Sequence, residues 1–157
     1  MNVKRRTFLK GSLAGSALVL AAGAGLLKPG RVLAAEWPKK AFDAKTMPEA
    51  ISSLFGGTAA TASKDIMIKA PLQAENGAVV PITVSTKMGN VESIGLMVEK
   101  NATPLVANVA LSNGAAGYFS ARMKMGRTSN VTAFVKAGGK LYSASQEIKV
   151  TVGGCGG

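Results

Sequence analysis

From Asp65 to Val152 apolar side chains recur at every second position, in short runs broken by turn residues. A period of two puts alternate side chains on one face of a strand and breaks up the continuous stripe that a helix would bury. Seven runs follow this rule: 65–70, 79–85, 91–99, 105–111, 118–125, 130–136 and 141–152. In the third, Ile94, Leu96 and Val98 alternate; in the fifth, Phe119, Ala121, Met123 and Met125 do so. In the last, Ile148, Val150 and Val152 alternate with Glu147, Lys149 and Thr151. Turn signals lie between them at Glu75-Asn76-Gly77, Lys87-Met88-Gly89-Asn90, Asn113-Gly114 and Ala137-Gly138-Gly139-Lys140, the last short enough for a tight hairpin. Pro81 in the second run lacks a donor and marks an edge or a bulge. No helical stretch alternates with the strands, so a parallel α/β sheet does not fit. The expected fold is all-β: an immunoglobulin-like antiparallel β-sandwich with a short N-terminal helix and a flexible C-terminal arm.

The helix is expected over 48–55. Pro48 suits a first helical position, Glu49 favours the positive end of the helix dipole, and Gly56-Gly57 ends it. Ile51, Leu54 and Phe55 fall on one face, which reads as a cap on the core. The stretch before it, Glu36-Trp37-Pro38-Lys39-Lys40-Ala41-Phe42, reads as a linker with two aromatics.

The first 34 residues read as a leader rather than as part of the fold. Arg5-Arg6-Thr7-Phe8-Leu9-Lys10 is a paired-arginine n-region, residues 11–27 are an apolar run, and Val32-Leu33-Ala34 is a small-residue site with cleavage expected after Ala34. The paired arginines, Arg5 and Arg6, with Phe-Leu-Lys behind them, read as a twin-arginine export signal. The apolar run has 17 residues with four glycines among them, short and weak beside the roughly 20 apolar residues of a spanning helix. No stable membrane anchor is therefore expected, and the mature chain is expected in the periplasm. Four segments result: leader 1–34, linker and short helix 35–64, sandwich 65–152 and arm 153–157.

Removing the leader from the 157 residues leaves 123, enough for one domain with one core. The leader holds six of the 19 Lys and Arg and none of the eight acids, so the formal charge falls from +11 to +5. The remaining cations are scattered among the strands as a solvated surface would have them, and nucleic-acid binding loses most of its support. The six methionines after Met1 fall mostly on strands or turns and suit core packing better than copper binding, since no His accompanies them.

The body offers little chemistry. With no His in the chain there is no Ser-His-Asp triad, and with one Cys the usual zinc and haem ligands are missing. The acids are dispersed, and neither a dinucleotide fingerprint nor a Walker motif is present. No catalytic, cofactor-binding or metal-binding residue is expected, and no cofactor. What remains is Gly153-Gly154-Cys155-Gly156-Gly157. Four glycines around one thiol cannot form a stable element; they make a thread of about 17 Å at most, at roughly 3.4 Å per residue. The thiol has no side-chain neighbour within two residues, so it can enter clefts closed to a thiol on a folded surface. Only a minor fraction of a solvated thiol is thiolate at neutral pH, so activation is expected from a partner. A lone Cys in an oxidising compartment can carry a substrate or work in redox exchange, cross-link two molecules, or be incidental, and spacing alone leaves all three open. Cys155 is the expected covalent attachment site, and Gly153, Gly154, Gly156 and Gly157 the flexible arm.

The residues also resemble a known family. The twin-arginine leader, Ala70-Pro71-Leu72-Gln73-Ala74-Glu75-Asn76-Gly77-Ala78-Val79-Val80-Pro81-Ile82, Val98-Glu99-Lys100-Asn101 before Pro104-Leu105, Gly138-Gly139-Lys140-Leu141-Tyr142 and the terminal Gly-Gly-Cys-Gly-Gly are together similar to the SoxY family, sulfur carriers of the periplasmic thiosulfate-oxidising Sox multienzyme system. Gln73 stands where the family pattern suggests an apolar residue. The resemblance implies that Cys155 carries the sulfur substrate covalently and that the carrier itself is no enzyme. It implies a haem c enzyme that joins thiosulfate oxidatively to the thiol as a cysteine S-thiosulfonate, and a manganese hydrolase that releases sulfate. In some organisms a molybdenum-haem dehydrogenase oxidises the remaining sulfane. It also implies a heterodimer with a smaller β-sandwich protein, SoxZ, whose joint export would explain a twin-arginine leader on a chain without a cofactor.

Overall fold

The computed structural model describes residues 37–57 and 59–151. Nine strands follow two helices: α1 (Lys39–Asp43), α2 (Met47–Phe55), β1 (Thr61–Ala62), β2 (Ile66–Lys69), β3 (Gln73–Ala74), β4 (Val80–Thr86), β5 (Val91–Val98), β6 (Leu105–Ala110), β7 (Tyr118–Met123), β8 (Ser129–Ala137) and β9 (Lys140–Val150). The seven runs with period two all become strands. They form two sheets, one of β2-β4-β7 and one ordered β1-β9-β8-β5-β6 with β3 also on β9. The pairings β2·β4, β4·β7, β5·β6, β5·β8 and β8·β9 are antiparallel. This is the immunoglobulin-like sandwich that the spacing of strands and turns predicts.

The core lies between the sheets. Ile66, Val80, Ile82, Val84 and Met123 of the smaller sheet meet Ile94, Leu96, Val98, Val131, Ala133, Val135 and Ile148 of the larger. Each fully buried aliphatic side chain contributes about 1.5–3 kcal/mol relative to exposure. The hairpin from β8 to β9 is as tight as its sequence suggests. Ala137 pairs with Lys140, and Gly138 and Gly139 have φ of 55° and 74°, the left-handed pair that a two-residue turn between twisted strands requires.

Four features depart from the sequence reading. The stretch read as a linker contains a helical turn, α1, which buries Ala41. β5 is buried from Ile94 through Val98 instead of alternating, because its second face is also covered. That cover comes from the helices: Ala41, Ala44, Ala50 and Ile51 form a second apolar cluster with Met97, Leu105 and Phe134. Phe55 sits 6.1 Å from Phe134, ring centre to ring centre. β1 and β3 are two-residue strands that add to β9 in parallel. Finally, β4 is the central strand of its sheet; only at Pro81 is it locally an edge, since β2 pairs with residues 83–86 and Pro81 faces Arg122 of β7 alone.

α2 follows its expected grammar. The Thr46 hydroxyl accepts the Glu49 N–H at the N-cap, Pro48 lies in the first turn, and Gly56 closes the helix in the left-handed conformation. No helix among the described residues is long and apolar enough to cross a membrane.

Candidate functional site

The expected attachment site Cys155, the arm residues Gly153, Gly154, Gly156 and Gly157, and the leader residues Arg5, Arg6 and Ala34 all lie outside the described residues. What the structure describes is the foundation from which the last five residues depart. That foundation is β9, the longest strand, held from both sides over its final residues.

On one side β3 runs parallel to it, with Gln73 opposite Lys149 and Ala74 opposite Val150. The Lys149 N–H donates to Leu72 O at 2.9 Å, and the Thr151 N–H to Ala74 O at 3.1 Å; the Thr151 hydroxyl donates to the same carbonyl at 3.3 Å. On the other side the Thr128 hydroxyl accepts the Val150 N–H at 2.9 Å, just before β8 begins. Ile148, two residues earlier, is fully buried. The strand is therefore held on both edges up to Thr151, six residues before the end of the sequence.

Beside this end opens a groove of about 960 Å³, walled by the loop 75–78, the turn 101–103 with the start of β6, the loop 124–126, and Val150 and Thr151. Two residues hold its walls together. Gly77 brings its loop against the opposite one: the Met125 N–H donates to Gly77 O at 2.7 Å. A Cβ at residue 77 would stand 2.4 Å from Met125 O and 2.9 Å from Val150 Cγ1, so only glycine allows this approach. Asn101 clamps the loop from the other wall. Its Nδ2 donates to Lys124 O at 2.8 Å and its Oδ1 accepts the Gly126 N–H at 3.2 Å. The turn carrying Asn101 is itself anchored on β8, where the buried Ser129 hydroxyl accepts the Lys100 N–H at 3.0 Å. Asn76 completes the first wall by accepting the Ala78 N–H with its side chain. Glu75 and Lys124 place one charge of each sign on the rim.

Gly77 and Asn101 were not singled out as site residues by sequence. Both lie inside the stretches that carry the family resemblance, 70–82 and 98–101, and that was the available signal. Their roles depend on loops that meet only in the folded chain. Among the described residues no three His, Cys, Asp or Glu side chains gather as metal ligands would.

With the foundation described, the likeness to known proteins can be set against it. Residues 51–155 match the family described as sulfur oxidation protein SoxY, a span that includes most of α2, the whole sandwich and the terminal cysteine. Among solved structures, the sulfur carrier protein SoxY from Chlorobium limicola f thiosulfatophilum is 41% identical, with a TM-score of 0.63, over 73% of this chain and 99% of that one. A point variant of a superoxide reductase (neelaredoxin) from Ignicoccus hospitalis matches at 20% identity and a TM-score of 0.50, over 55% of this chain and 79% of that one; this likeness concerns the fold alone. No curated protein matches the chain. The match over residues 51–155 and the 41% identity to a solved relative show that the chain belongs to the SoxY family.

Proposed function

We propose that this chain is a covalent sulfur carrier of the Sox thiosulfate oxidation system, with Cys155 as the loading site and residues 153–157 as its arm. The observation that carries this reading is the pairing of a lone thiol among four glycines with a strand end hydrogen-bonded on both edges up to Thr151. A firm base followed by residues without Cβ lets a thiol reach into several partners while its origin stays fixed. Family membership supports the same role.

The loading step balances as thiosulfate plus the Cys155 thiol giving the S-thiosulfonate, one proton and two electrons. The new bond joins the cysteine sulfur to the sulfane sulfur of thiosulfate, and the electrons pass to the haem c iron of a partner enzyme. Water then cleaves the terminal sulfone as sulfate with release of one proton, leaving a persulfide on Cys155; the family's manganese hydrolase is the expected agent. Where a molybdenum-haem dehydrogenase is present, it oxidises that persulfide sulfur. The chain itself supplies no catalytic group in this scheme. The twin-arginine leader with Arg5 and Arg6, cleavage after Ala34, a periplasmic location and joint export with a SoxZ-like subunit belong to the same proposal.

Intact mass spectrometry after incubation with thiosulfate and the oxidising partner tests it. A thiosulfate adduct that is absent from Cys155→Ser supports the carrier. A disulfide dimer as the sole product, with the Ser variant still sustaining thiosulfate oxidation, overturns it in favour of a cross-linking cysteine.

A further inference from the structure

The outer faces of the two sheets differ. α1 and α2 cover that of the larger sheet, whereas among the described residues nothing covers that of β2-β4-β7. The strand register sets three rows of side chains on the uncovered face: Met67, Ser85 and Tyr118; Lys69, Thr83 and Ser120; Pro81 and Arg122. Met67 is 65% exposed and Tyr118 58%, and Val79, two residues before Pro81, is 51% exposed. Apolar side chains thus stand at both ends of the face.

The centre of the face is prepared for the loss of water. The Thr83 and Ser120 hydroxyls bond each other at 3.0 Å, so covering them strips no unpaired polar group, the usual cost of burying hydroxyls. The only charged side chains in the three rows are Lys69 and Arg122, and among the described residues neither meets a carboxylate. A second copy of this chain would bring two further cations and no acid to the same surface. Charge therefore selects a different occupant, one with carboxylates placed against Lys69 and Arg122.

We propose that the outer face of β2-β4-β7 docks a second protein subunit whose matching surface is flat, apolar at its contacts with Met67 and Tyr118, and carboxylate-bearing opposite Lys69 and Arg122. The inference rests on the carrier reading in one respect: it takes the occupant to be the partner subunit proposed above. Such docking leaves the groove and the end of β9 open, since none of the residues in the three rows lines that groove.

The test uses the full chain co-expressed with the partner subunit, with affinity measured by titration calorimetry at low and high salt. Lys69→Glu with Arg122→Glu should weaken binding at least tenfold and flatten its salt dependence, and Met67→Ser with Tyr118→Ser should also weaken it. Lys40→Glu with Lys45→Glu changes the net charge equally on the helical side and should bind as the parent does. Face variants that bind like the parent, or a control weakened as much as they are, overturn the docking face alone. A parent chain that does not bind the subunit overturns the partner reading and this inference with it. A homodimer disrupted by the face variants overturns the choice of occupant.

Discussion

Gly77 and Met125 lie so close that the Met125 N–H donates to Gly77 O at 2.7 Å while a Cβ on residue 77 would stand 2.4 Å from the Met125 carbonyl oxygen. The neighbour is backbone on one side and Val150 on the other, so it cannot swing away as the tip of a long side chain would. Gly77→Ala should therefore push apart the loops that wall the groove and destabilise the fold by about 1–3 kcal/mol, the usual cost of forcing a methyl group into packed space. Denaturant melts of the two proteins measure it. A loss under about half a kcal/mol, the range of an ordinary surface substitution, would mean that the loops yield freely.

Gly95 makes the same demand in a softer setting. A Cβ there would stand 3.0 Å from Phe55 Cζ, the far end of a ring that can move. Gly95→Ala should therefore displace Phe55 from its place beside Phe134 and loosen α2 while leaving the space between the sheets intact. The expected loss is about 1 kcal/mol, at the low end for overpacking. Near-ultraviolet circular dichroism should change where aromatic packing is read, with the far-ultraviolet strand signal unaltered. Hydrogen exchange should quicken in α2 and not in β4 or β8, and uniform quickening would contradict the account.

The contrast between these two glycines shows what could be read in advance. The seven longer strands were legible because each buries one face, and burial of one face writes a period of two into the chain. α2 was legible from Pro48, Glu49 and Gly56-Gly57. α1 was not, since five residues with only Ala41 buried carry no periodicity. β1 and β3 were not, because two residues make no pattern and their partner, β9, lies far along the chain, at Tyr142 for Thr61 and at Lys149 for Gln73. Nor could the helical cover on β5 be read, although Gly95 between Ile94 and Leu96 was its visible trace. At the candidate site the division is sharper. The Gly-Gly-Cys-Gly-Gly run declares itself by composition, whereas the double-edged hold on Val150 and Thr151 arises from Ala74 and Thr128, residues brought together only by the fold.

Asn101 provides a test of the groove's second wall. It gives a donor to Lys124 O and an acceptor to the Gly126 N–H, a pairing that neither carboxylate nor methyl reproduces in full. Asn101→Ala should cost about 0.5–1.5 kcal/mol, since both backbone groups lie on an exposed loop where water can replace the lost bonds. Asn101→Asp keeps the acceptor for Gly126 and turns the donor into an anion facing the Lys124 carbonyl, so it should be no better than alanine. Amide exchange at Gly126 separates the two: slowed in the Asp variant relative to Ala, and equal in both if the clamp has no local effect.

Glu92 joins the start of β5 to the β8–β9 hairpin and should make stability depend on pH. Its carboxylate accepts the Gly139 N–H at 2.7 Å and pairs with Lys136 at 3.2 Å, and both hold its pKa below the ordinary value, the Gly139 bond first. A group whose pKa is lowered in the folded state contributes stability above its unfolded pKa and loses it as pH falls through the folded one. Glu92 is well exposed, so the contribution is small and screened by salt. Glu92→Gln should therefore melt below the parent at neutral pH, and the gap should close as the pH falls from the ordinary carboxylate range to below it. Melting curves at steps from neutral to acid pH, at low salt, measure that gap. A gap that stays constant across the range would assign the effect of the substitution to packing at the hairpin rather than to the charge.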